Sequence, residues 1–267
     1  MIMLKQIVLT GLVIIGIVIT LMYLFQRHLI YFPNRHTPKL EDYNASDMKV
    51  VSLRTKDNLH LKSWYKPASK HRPTILYLHG NAGHIGYRMP LVREFIDAGL
   101  GVFLLEYRGY GGNPGKPGEK GLYEDGETAI EFLIQHGVPS KRVILYGESI
   151  GTGVATHLAT KYPVCAVILQ SPFTSLTRLA QYHYPLNFLK PWDQYNSLAR
   201  MKKIHVPLLV LHGKLDQIVP YQEGLNVFNE ANEPKKMLSF DNKEHNDLWS
   251  ADNFSREIIQ FALNQCS

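Results

Sequence analysis

Residues 143–158 read VILYGESIGTGVATHL and set a serine between two glycines, where an apolar run of strand length gives way to a helical pattern. A serine at such a strand-to-helix turn is held in a strained backbone conformation. Side chains two residues to either side would collide, so Gly147 and Gly151 leave room and the Ser149 hydroxyl projects from the C-terminal edge of a sheet. The helix that starts behind it favours negative charge developing nearby. The spacing alone is weak, since two glycines flank a serine this way by chance in about one chain in ten of this length. The strand-turn-helix context makes it specific, and the chemistry it suits is nucleophilic attack.

A serine hydroxyl is a poor nucleophile without a base, and the base must itself be oriented. Asp216 lies just past an apolar strand in PLLVLHGKLDQIVP, and His245 lies in the loop after the last strand in MLSFDNKEHNDLW. Both fall at C-terminal strand ends, the edge on which Ser149 stands. Asp216 would fix the tautomer of His245, and His245 would take the Ser149 proton. Asp241 and Asp247 are nearer to His245 in sequence and compete for the role of acid; the preceding strand end favours Asp216. Backbone N–H groups must meet the charge that develops on the substrate carbonyl. Ile150 supplies one and Asn81, in YLHGNAGH, the other, with Ala82 as the alternative. His79 and His84 flank that loop without a third ligand at usable spacing, so they read as buttresses, and neither a metal nor a cofactor is expected. YRGYGGNPGKPG has the glycines of a phosphate loop, but Pro114 and Pro117 break the helix start a dinucleotide would need, leaving a rigid loop beside the site.

The elements that must position these groups follow from the apolar pattern. After two alternating strands within residues 48–67, short apolar runs (TILYLHG, GVFLLEY, RVILYG, CAVILQ, PLLVLHG, KKMLSF) alternate with helical stretches, and NFSREIIQFALNQ closes the chain. That alternation predicts a mostly parallel sheet covered on both faces. It lapses between 171 and 206, an aromatic- and proline-rich stretch too long for a connection, which predicts a small inserted cap. The cap segment QYHYPLNFLKPW suits either an apolar acyl channel or plain core packing.

The chain has 267 residues, 45% hydrophobic and 19% charged, enough for a large core. The net charge of +6 is spread out rather than clustered, which excludes a nucleic-acid surface and suits attraction to anionic lipid. Cys165, in VCAVIL, reads as a buried thiol, and neither it nor Cys266 belongs to a metal or redox motif. Residues 7–25 carry no charge and, as a helix, span about 28 Å, enough to cross a bilayer. A cleaved signal peptide is the rival, but its apolar stretch is usually shorter, and no small-residue cleavage site follows. Lys5 against Arg27, Arg35 and Lys39 gives a slight bias toward a cytoplasmic domain under the positive-inside rule.

Together, YLHGNAGH, EYRGYGGNPGKPGEKGLYEDG, YGESIGTGVA, SPFTSL, VPLLVLHGKLDQIVP and KEHND resemble the membrane-anchored α/β-hydrolase-domain (ABHD-like, Bem-type) serine hydrolases, from about residue 30 to the C-terminus. The resemblance implies an α/β-hydrolase fold and the roles given to Ser149, Asp216 and His245, with no departure at those positions. The expected organisation is an anchor over 1–28, a connector over 29–47, and a hydrolase domain over 48–267 with its cap at 171–206. The expected function is a membrane-tethered serine esterase, thioesterase or lipase-like hydrolase acting on a small-molecule or acylated substrate, with the bilayer as partner and the oligomeric state open. Members of the family cleave fatty acyl esters, thioesters and peptides, so a peptidase stays open, as does a catalytically silent scaffold.

Overall fold

Apolar runs too short to be free-standing helices dictate the centre of the molecule. TILYL, GVFLL, AVILQ and LLVLHG are buried at every position, the pattern of strands covered on both faces. The computed structural model describes residues 2–184 and 190–266. It begins with α1 (Ile2–Leu24), α2 (Gln26–Ile30) and β1 (Phe32–Pro33), followed by the hairpin β2 (Lys49–Arg54) and β3 (His60–Lys66). Then come β4 (Thr74–Leu78), β5 (Ala82–Gly83), α3 (Met89–Asp97), β6 (Gly101–Leu105), α4 (Glu119–Gln135), β7 (Val143–Glu148) and α5 (Ile150–Ala159). The chain ends with β8 (Ala166–Gln170), α6 (Leu176–His183), α7 (Leu198–Met201), β9 (Leu208–Gly213), α8 (Tyr221–Glu230), β10 (Lys235–Phe240) and α9 (Phe254–Gln265).

Eight strands form one sheet in the order β10-β9-β8-β7-β4-β6-β3-β2. From β10 to β6 all pairs are parallel, and only the β2–β3–β6 edge is antiparallel. Because side chains alternate along a strand, β4 sends Leu76 and Leu78 into one core with α4, α5 and α8. Ile75 and Tyr77 enter a second core with α3 and α9. This is the mostly parallel, doubly covered sheet expected from the alternation, in the α/β-hydrolase fold that the resemblance implies. The cap stretch contributes α6 and α7, while residues 185–189 of its aromatic segment lie outside the described residues.

Three features differ from the sequence reading. Helix α1 begins at Ile2, ahead of the uncharged run; by length and composition it suits either a membrane anchor or a signal sequence. The helical path does not end at the expected boundary after residue 28. It breaks at Phe25 and resumes as α2, whose Gln26 is buried, and β1 then pairs in parallel with β5. Finally, Cys165 is no free thiol. It is disulfide-bonded to Cys266, across a sequence separation of 101, and so ties the start of β8 to the end of α9. The pairing escapes sequence reasoning because it depends on how α9 packs back on the sheet.

Candidate active site

The turn at the end of β7 has no room for a side chain at Gly147 or Gly151. A Cβ on Gly151 would stand 2.0 Å from the Leu78 carbonyl oxygen, and one on Gly147 would stand 2.6 Å from the Gly151 oxygen. Ser149 sits between them at φ 51°, ψ −115°, in the left-handed half of backbone space that a non-glycine residue occupies only when its surroundings hold it there. What holds it is a ladder bond from its own N–H to Gln170 O (2.9 Å) and α5 starting at the next residue. Thr152 Oγ1 adds a bond to Ser149 O at 2.6 Å.

The structure brings His245 and Asp216 to this serine. Ser149 Oγ lies 3.1 Å from His245 Nε2, and His245 Nδ1 lies 2.7 Å from Asp216 Oδ2. The other carboxylate oxygen of Asp216 accepts the backbone N–H groups of Ile218 (2.9 Å) and Val219 (2.7 Å). Burial alone would raise this carboxyl, but the nearby His212 ring, the hydrogen bond with His245 and the Val219 N–H outweigh it and hold the group below the usual carboxylate range. The competing acids are elsewhere. Asp241 pairs with Lys214 at the surface, and Asp247 accepts the Glu244 N–H, so neither touches His245. His212, which sequence reasoning passed over, donates from Nε2 to Val219 O (2.9 Å) with Asp216 Oδ2 at 3.4 Å. Its signal was its place four residues before Asp216, at the end of the same strand.

Among the described residues, the backbone N–H groups of Asn81 and Ile150 donate to no protein acceptor, and both residues wall the cavity that contains Ser149. Asn81 is fixed from three sides: its carbonyl accepts Phe32 N (2.9 Å) and Tyr110 Oη (2.8 Å), and its side-chain amide donates to Ile30 O (2.8 Å). Thus β1 and α2 on one side, and the glycine-rich 106–118 loop on the other, set this N–H. His79 is buried against Tyr107, Tyr110 and Glu106, and His84 Nδ1 accepts the Gly86 N–H, so both act within the loop's own packing. A second missed group is Arg88. It forms a two-pronged pair with Glu148 (2.7 and 3.0 Å) and also donates to Ala82 O (2.9 Å), coupling the residue before the serine to the loop that carries Asn81. Burial opposes ionisation of Glu148, but Arg88 beside it brings its pKa down to about 2.

Comparison with known proteins decides the family. A family described as serine aminopeptidase, S33, matches residues 69–197. Protein bem46 of Schizosaccharomyces pombe is 34% identical over 261 residues, which cover 90% of this chain and 86% of that one. The chain belongs to the ABHD/Bem-type α/β-hydrolases. Alpha/beta hydrolase domain-containing protein 17B of Xenopus laevis is 32% identical over 74% of this chain and 68% of its own. Among solved structures, the Pyrococcus furiosus esterase Pf2001 superposes with a TM-score of 0.73 at 20% identity, covering 89% of this chain and 99% of that one. At that identity the likeness concerns the fold.

Around Ser149 this hydrolase has a cavity of about 340 Å³, open at one side, whose walls include Phe173, Leu176, Leu179 and Ile218. Leu29 and Ile30 of α2 complete it. These last two come from the stretch that the sequence assigned to the connector. On the other side of His245 a cavity of about 190 Å³ is lined by Tyr87, Arg88, Glu148 and Trp249.

Proposed function

We propose that this α/β-hydrolase is a serine hydrolase cleaving carboxylic esters or thioesters of apolar acyl groups. The observation that carries the reading is the chain of contacts Ser149–His245–Asp216, at 3.1 and 2.7 Å, on a turn whose strain only a buried scaffold sustains. As Ser149 Oγ attacks the acyl carbon, its proton passes to His245 Nε2, and Asp216 stabilises the imidazolium through Nδ1–H. The carbonyl π pair moves onto oxygen, where the Asn81 and Ile150 N–H groups receive it. Collapse of the tetrahedral intermediate expels the alcohol or thiol, which takes the proton from Nε2 and leaves Ser149 acylated. Water then attacks the acyl-enzyme, giving its proton to His245, and the carboxylic acid departs as Ser149 recovers the proton.

The apolar walls beside Ser149 support an acyl substrate. The family description and the peptidases it names favour a second reading, an aminopeptidase, whose substrate carries a cationic amino terminus. Among the described residues walling the Ser149 cavity none is acidic, so nothing there would recognise that cation, and the ester reading is preferred. We further propose that α1 is an uncleaved membrane anchor, since α2 directly after it is built into the domain. The Cys165–Cys266 disulfide supports a domain on the oxidising side of that membrane. The slight basic excess after the span argues the other way, but Arg27 is paired with Asp193, and the remaining bias is small.

Fluorophosphonate labelling of membranes carrying the wild type, Ser149→Ala and His245→Ala tests the serine assignment. Labelling of the wild type alone is expected, followed by ester turnover that exceeds peptide turnover. A folded wild type that resists the probe would sink the hydrolase reading and bring the silent scaffold forward.

A further inference from the structure

The geometry points to an acyl-binding groove built partly from the chain's own amino-terminal helices, along which the acyl chain of a bilayer-resident ester or thioester runs from Ser149 toward the membrane. The inference rests on the serine-hydrolase reading above and adds the path and the walls.

The cavity at Ser149 does not end in the domain. It shares Leu29, Ile30, Ala180, Tyr184 and Pro191 with an adjoining cavity of about 150 Å³. The adjoining cavity continues along Ile19, Met22 and Tyr23, in the last turns of α1. The groove therefore runs from the reacting atom onto the last turns of α1, the helix long and apolar enough to face lipid. A loose tether could not form such a wall, and this one is fastened. Arg27 makes a two-pronged pair with the buried carboxylate of Asp193 (3.0 Å to each oxygen), and Tyr31 Oη donates to the same carboxylate (2.9 Å). Gln26 accepts the Trp192 N–H at 2.7 Å, and the Tyr23 ring meets the Trp192 ring edge-on. The contacts clamp α2 to the irregular stretch of cap that follows Lys190, while α6 forms the opposite wall.

The occupant is set by the two ends. At one end stand the serine and the unengaged N–H groups of Asn81 and Ile150, which suit the carboxyl carbon of a chain. At the other stands an apolar helix, and between them the walls are mostly aliphatic. An extended peptide would need backbone partners there, but the side chains of Asn81 and His183 are already bonded to the carbonyls of Ile30 and Ile218. Lys190 is exposed beside the outer cavity, with a stem that can follow apolar surface while its ammonium stays at headgroup level.

Two experiments on the full-length protein in phospholipid nanodiscs test the groove. In the first, kcat/KM is measured for p-nitrophenyl palmitate and p-nitrophenyl butanoate with the wild type and Ala180→Trp. The indole should lower the palmitate-to-butanoate ratio by about tenfold or more, the effect of losing roughly two methylenes of burial; an unchanged ratio overturns the groove. In the second, the wild type is treated with a hexadecyl fluorophosphonate bearing a terminal diazirine, irradiated and mapped by mass spectrometry. Phosphonylation of Ser149 with cross-links at residues 19–23 is expected. Cross-links to another part of the domain, or to lipid alone, overturn the groove and leave the hydrolase standing. No modification of Ser149 removes both.

Discussion

Replacing Asp216 by Asn keeps the shape of the side chain and reverses what it can do for His245. In the wild type, one oxygen takes the Ile218 and Val219 N–H groups and the other takes Nδ1–H of His245 at 2.7 Å. An asparagine can keep the two backbone donors on its single oxygen, which turns its NH₂ toward His245. That group cannot accept Nδ1–H, so the imidazole must carry its proton on Nε2, pointing at Ser149 Oγ, where a base is needed. His212 gives no rescue, because its Nε2–H is committed to Val219 O. The expected loss in kcat is about 10³–10⁴-fold, or roughly 4–5.5 kcal/mol at 1.36 kcal/mol per decade. It is read on a soluble short-chain ester, with circular dichroism confirming the fold. Asp241→Asn, at a surface pair with Lys214, should stay within about twofold, as most surface changes do. The same variant carries a stability test. A carboxyl held below its ordinary value contributes stability that is present above the unfolded pKa, about 3.9. That contribution is lost as pH falls through the folded value. The difference in Tm between wild type and Asp216→Asn should therefore be largest near neutrality and shrink below about pH 4. If Asp216→Asn kept more than about a tenth of kcat while Asp247→Asn abolished it, the acid would be misassigned and the tautomer argument refuted.

Gly151→Ala puts a methyl against the Leu78 carbonyl at 2.0 Å, and since that atom is backbone it should destabilise by about 3 kcal/mol and remove probe labelling; a normal Tm with full labelling would contradict the turn geometry. Arg88→Ala leaves Glu148 with the Tyr77 hydroxyl but no cation and releases Ala82, so thermal denaturation should report a loss of about 3 kcal/mol, with partial recovery of kcat in Arg88→Lys. Removing residues 1–24 should leave a labelled domain, whereas removal through residue 33 deletes the Ile30 and Phe32 bonds to Asn81. The longer truncation should slow labelling by about tenfold, on the order of one or two hydrogen bonds. Cys266→Ser opens a loop of about a hundred residues and should lower stability by up to about 5 kcal/mol; thiol alkylation of unreduced membranes should find both cysteines of the wild type protected.

The legible parts of the sequence were those in which a local pattern and a local constraint coincide. The unbroken apolar runs could only be doubly covered strands, and β4, β6, β7, β8 and β9 lie where those runs lie. The glycines about Ser149 marked a turn with no room for a side chain at positions 147 and 151, and the strand ends carrying Asp216 and His245 fell on one edge because parallel strands all end there. What stayed hidden is carried by contacts that span the chain. Arg27 meets Asp193 across 166 positions, Ile30 meets Asn81 across 51, and Cys165 meets Cys266 across 101. None has a period or a motif, and each is decided only when the sheet has placed its two ends together. The consequence is sharpest at α2. A charge-free helix followed by QRHLI reads as a tether and its flank, because hydropathy reports where a helix can sit and not what its next turn touches. Once Asp193 fixes Arg27 and Asn81 bonds to Ile30, two of those five residues, Leu29 and Ile30, wall the cavity at the serine, and Ile30 holds Asn81 in place beside it. Under the function and anchor proposed above, membrane attachment and catalysis share residues, so a substitution such as Arg27→Ala, far from the chemistry in sequence, should lower turnover of long acyl chains more than of short ones.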